Sequence, residues 1–140
     1  SNMMTCMVQD KAGYIWIGTE FGLNKFDGYR FTNYLHTDAD SMSIPNNIIV
    51  SLFVDKEGNI IVGTTKGLAK YNNAANNFEK FKMPLGEQPR ISEIMQLHDG
   101  TVVVGTEGYG LLKLDFKSMK MIQINRKESN ISYVKIILTL

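Results

Sequence analysis

A repeat of 42–45 residues, short apolar runs bounded by glycines, and no sustained helical periodicity together predict an all-β fold. The expected architecture is a β-propeller fragment: three four-stranded antiparallel blades plus the first strand of a fourth. Gly63 follows Gly18 by 45 residues, and Gly105 follows Gly63 by 42. Around these glycines the stretches 10–27, 55–72 and 99–115 align, with length changes confined to turns. The blades are expected at about 3–40, 44–86 and 89–126, and the lone strand of the fourth at about 130–140. A helical solenoid does not fit the pattern, and a β-sandwich leaves the repeat unexplained.

Each unit opens with a strand, read at 4–8, 48–54 and 91–97, with 131–138 as its fourth copy. A tight turn follows. Asp10 and Gly13, Asp55 and Gly58, and Asp99 with Gly100 supply its acceptor and its permissive position. The second strand is apolar at consecutive positions, as in Tyr14-Ile15-Trp16-Ile17, so both of its faces need cover. Gly18-Thr19, Gly63-Thr64 and Gly105-Thr106 end that run where the backbone bends or something approaches closely. Gly22, Gly67 and Gly110 mark a second turn and open the third strand. The fourth strand is read from apolar pairs three apart: Phe31 and Tyr34, Phe78 and Phe81, Met119 and Ile122.

Composition excludes several functions. The net charge is +1, which gives no field for nucleic acid. The apolar runs are too short to span a bilayer, so no membrane contact is expected from this segment. One cysteine, Cys6, forms no internal disulfide and reads as a small buried hydrophobe. His36 and His98 fall in different repeats, without the converging ligands a metal or catalytic site needs. No helix follows Gly-Thr-x-x-Gly, so it is not a phosphate loop. No catalytic residue, metal or cofactor is expected. Lys25, Lys70 and Lys113 recur once per blade and read as stems packed on a strand with their amines in water. Trp16 reads as core. Tyr29, Arg30, Tyr34 and His36 are the candidates for ligand contact, and the stretch 35–45 reads as a solvated linker between blades.

Asp10 to Gly28, as D-x-x-G-x-I-W-I-G-T-x-x-G-L-x-K-F-D-G, resembles the two-component regulator propeller repeat. The stretch from Asp55 to Tyr71 is similar, and that from Asp99 to Asp115 is similar with departures, Ile61 and Val103 standing where Trp16 stands. The resemblance implies the periplasmic sensor region of a Bacteroidetes hybrid histidine kinase and response regulator. It implies a non-catalytic module that senses oligosaccharides, with kinase and output domains elsewhere in the intact protein. Two alternatives are a protein-interaction propeller and a quinoprotein-like enzyme scaffold. The latter lacks its usual Gly and Trp in Ser118-Met119-Lys120-Met121-Ile122. An incomplete ring exposes blade faces, so self-association through those faces and strand 131–138 is expected.

Overall fold

The computed structural model describes residues 3–84 and 86–124, and the strand expected at 131–138 lies outside them. The described residues form three four-stranded antiparallel sheets. The first holds β1 (Met4–Gln9), β2 (Ile15–Thr19), β3 (Gly22–Phe26) and β4 (Phe31–Tyr34). The second holds β5 (Ile49–Val54), β6 (Ile60–Thr64), β7 (Gly67–Asn72) and β8 (Asn77–Lys80). The third holds β9 (Ile91–Gln96), β10 (Val102–Thr106), β11 (Gly110–Asp115) and β12 (Lys120–Gln123). Each sheet runs in chain order, and the opening strands β1, β5 and β9 lie side by side. These are stacked propeller blades.

The recurring residues build this stack by recurring contacts. Asp10 Oδ1 accepts the backbone N–H groups of Ala12 and Tyr14, while its Oδ2 accepts the Trp16 indole N–H at 2.8 Å. Ile61 cannot donate in the second blade, and there the Asn59 side chain donates to Asp55 Oδ2 instead. The threonine after each strand glycine spans the next turn: Thr19, Thr64 and Thr106 donate to the carbonyls of Gly22, Gly67 and Gly110. Sequence reasoning had assigned no role to that hydroxyl.

The strand glycines answer a close approach of the following blade. A Cβ on Gly18 would lie 2.6 Å from Ile49 Cγ2, and one on Gly63 would lie 2.9 Å from Ile91 Cβ. The first residue of each next opening strand therefore rests on glycine. Opposite each glycine the opening strand carries a register shift, between Met4 and Cys6, between Ile49 and Ser51, and at Gly105/Thr106. Such a bulge bends the opening strand and increases its local twist.

Two cores follow, one per blade seam. Trp16, Leu23, Ile49, Val62, Tyr71 and Phe78 fill the seam between the first and second blades. Ile61, Leu68, Phe81, Ile91, Val104 and Leu112 fill the seam between the second and third. Phe78 and Phe81, three apart, are each 1% exposed and enter opposite seams. In the third blade the expected pair Met119 and Ile122 is out of register. Met119 sits at the hairpin turn with φ +55°, and Met121 takes the buried position, opposite Leu114 as Phe78 is opposite Tyr71. The hairpins of these two blades are longer than that of the first, where Phe26 pairs Phe31. A second apolar pair at the same spacing, Met121 and Ile124, satisfies the sequence rule equally well.

Candidate binding grooves at the blade seams

Both seams end at the rim in a groove beside the last strand of the leading blade. The register shows the two grooves to be repeat copies. Asn33 pairs Asn24 and Tyr34 pairs Leu23 in the first blade. Lys80 pairs Ala69 in the second, and the Phe81 N–H donates to the Leu68 carbonyl. Asn33, Tyr34 and Leu35 therefore correspond to Lys80, Phe81 and Lys82. Asn76 and Met119, both at positive φ in their hairpins, correspond in the same way.

The first groove encloses about 230 Å³ and is lined by neutral polar groups, among them Asn33, Thr37, Ser43, Asn76 and Asn77, with Asp40 the one charge. The Tyr34 hydroxyl donates to Asn76 Oδ1 at 2.6 Å, and the Tyr71 hydroxyl donates to the same oxygen at 2.9 Å. Burial, then the Tyr71 hydroxyl, pushes the Tyr34 phenol above its usual range. Asn77 Oδ1 is buried with no hydrogen-bond partner. An acceptor in that state costs free energy until a donor reaches it.

The second groove is larger, about 550 Å³. Met42, Pro45, Leu68, Phe81 and Met119 give it an apolar floor, and Lys66, Lys80 and Lys82 line it as cations. None of these three lysines has a carboxylate at ion-pair distance among the described residues. Glu79, also in the lining, faces Lys70 at 4.0 Å.

A third groove of about 430 Å³ opens at the Asp-turn end of the first seam, lined by Asp10, Tyr14, Trp16, Lys25, Glu57 and Tyr71. Lys25 adds a contact to the packed stem expected of it: its amine lies 4.7 Å from the Tyr14 ring centroid and 5.5 Å from those of Trp16 and Tyr71. Aromatic rings facing the seam draw the cation inward. Lys70 instead faces Glu79.

The four candidate ligand residues separate. Tyr29 is 94% exposed, and with Arg30 it forms the β3–β4 hairpin that Asp27 caps through both backbone N–H groups. These two bonds hold the Asp27 carboxyl below its ordinary range. Tyr34 lines the first groove with its ring stacked 5.8 Å from Trp16. His36 is a tie: Nδ1 bonds the Ile44 carbonyl and Nε2 bonds Asp38, each at 2.8 Å. The stretch 35–45 is correspondingly more than a solvated linker. Ser43 and Ile44 are buried, Ser43 Oγ accepts the Thr37 N–H, and Ile44 joins the first seam. Cys6 is half-buried beside Gly18, and burial pushes its thiol up. Among the described residues no three His, Cys, Asp or Glu side chains gather as metal ligands, and no helix is long and apolar enough to cross a membrane.

Residues 1–21 and 43–66 match the family model "Two component regulator propeller". Over 36 residues, 26% of this chain, the sequence is 56% identical to histidine kinase P4 of Formosa agariphila, and spans 3% of that protein. The extracellular domain assigned to a hybrid two component system of B. thetaiotaomicron superposes on 91% of the chain with a TM-score of 0.77 and 28% identity. The chain covers 19% of that domain. PorZ, a surface component of the Porphyromonas gingivalis type-IX secretion system, shares the fold over 92% of this chain and 22% of its own at 16% identity, TM-score 0.65. A glycine-threonine repeat, a four-strand blade built on it, and this likeness across nearly the whole chain agree: the chain is built of propeller blades, and its segments 1–21 and 43–66 match the two-component regulator propeller repeat.

Proposed function

We propose that these blades are part of the sensor region of a hybrid two-component receptor, facing the periplasm and recognising an oligosaccharide. The observation that carries this reading is the likeness to the B. thetaiotaomicron extracellular domain over 91% of the chain at 28% identity. The segment itself is a non-catalytic binding element, and kinase chemistry belongs to other parts of the intact protein. The first rim groove supports a hydroxyl-rich ligand. Its amides and hydroxyls offer donors and acceptors.

The test is a glycan panel against the complete ectodomain of the parent receptor, read by calorimetry and by autophosphorylation of the full-length receptor. One oligosaccharide that binds saturably and changes autophosphorylation is the expected result. A protein captured reproducibly by the ectodomain, with no glycan bound, would favour the protein-interaction reading instead.

A further inference from the structure

The second rim groove differs from its repeat copy in one chemical respect. Where the first blade places Asn33 and Leu35, the second places Lys80 and Lys82. Lys80 ends β8 and Lys82 follows two residues on, so by strand alternation both leave on the face of Phe78, opposite to Phe81, and they reach the groove at the strand's edge. Lys66, from the β6–β7 turn, lines the same groove. Lys66, Lys80 and Lys82 therefore line one groove together with Met42, Pro45 and Met119, and Glu79 lies 4.0 Å from Lys70. Bringing like charges together beside an apolar surface is unfavourable for the fold alone. It becomes favourable when an anion bridges them and an apolar face covers the floor.

We propose that this groove binds an acidic sugar unit, a pyranose carrying a carboxylate or sulfate. The anionic group is held by Lys66, Lys80 and Lys82, and the C–H face of the ring lies on Met42 and Met119. The inference rests on the oligosaccharide reading above and specifies its ligand as anionic. A volume of about 550 Å³ accommodates such a unit with a neighbouring sugar.

The methionines supply the test. In the full chain labelled with ¹³C at the methionine methyls, Met42 and Met119 report from the groove, while Met4, Met7 and Met95 report from exposed surface elsewhere. The probes are sodium glucuronate and glucose 6-sulfate, with glucose and sodium sulfate as controls. The expected result is a saturable shift of the Met42 and Met119 methyls by one or both acidic sugars, with glucose and sulfate inert. Binding in Lys80→Gln/Lys82→Gln should weaken about five-fold or more, with the unbound spectrum otherwise unchanged. Comparing the two probes distinguishes a carboxylate from a sulfate ligand. The proposal is overturned if neither acidic sugar moves these methyls, or if sodium sulfate or glucose moves them equally. A neutral glycan bound elsewhere on the ectodomain would then leave the sensor reading standing while this one fails.

Discussion

The two seams share a backbone and differ at the rim. In the first, Tyr34 of the leading blade meets Tyr71, Phe78 and Asn76 of the following one, and Asn76 accepts from both tyrosines. In the second, Phe81 takes the place of Tyr34 and meets Phe116 edge-on at 5.4 Å, with Met119 where Asn76 stood. A hydroxyl on one blade goes with an amide on the next, and a bare ring goes with a thioether. The glycine, threonine and aspartate positions set how blades stack, and the rim residues change in matched pairs across the seam.

The exposed back of the first blade breaks the comparison most, because it is a seam surface without a partner among the described residues. Met4, Met7 and Phe31 are 57%, 57% and 62% exposed there. We propose that the isolated chain associates through this face. Light scattering should show a mass that rises with concentration, and Met7→Ser/Phe31→Ser should shift the population toward monomer. A monomer mass independent of concentration would contradict it.

Within the seams, Trp16→Ala should have the largest effect on stability, about 3–5 kcal/mol by denaturant unfolding, since it empties the centre of the first seam and orphans Asp10 Oδ2. Gly63→Ala should cost about 1–3 kcal/mol, because the new methyl meets Ser51 Oγ and Ile91 Cβ. Gly13→Ala, with nothing within 4 Å but a φ of +96°, should cost about 1–2 kcal/mol from backbone strain alone.

A smaller effect separates the seams by pH. The Tyr34 phenol is raised in the folded state, so the fold holds its proton after the unfolded chain has lost it. The stability this contributes is complete below about pH 10 and falls as pH rises beyond it. Tyr34→Phe should flatten that alkaline loss in a thermal-denaturation series, whereas Phe81→Leu, in the second seam, should leave its slope unchanged.

Strands, turns and repeat were readable because each rests on residues near in sequence. Asp10 and Trp16 are six apart, and Thr19 and Gly22 are three apart. The rim was not readable. Tyr34 and Asn76 are 42 residues apart, and nothing local marks Asn76 as the acceptor rather than a generic turn residue at positive φ. Met119 was misplaced because two apolar pairs share one spacing and only the cross-strand register separates them. The burial of Ser43 and Ile44 depends on a loop folded back through Asp40, Thr37 and His36, a closure no periodic pattern encodes. The lysine groove was hidden for the same reason: Lys66 and Lys82 come to line one groove only when the second blade is built.

The matched pair itself offers the most direct test, a double-mutant cycle on Tyr34→Phe and Asn76→Gly measured by denaturant unfolding. Glycine keeps the positive φ of position 76, so the cycle reads the lost acceptor and not backbone strain. The account predicts a coupling of about 1 kcal/mol, the double variant losing less than the sum of the singles. Additivity within about 0.3 kcal/mol would contradict the claim that rim residues act in pairs across the seam.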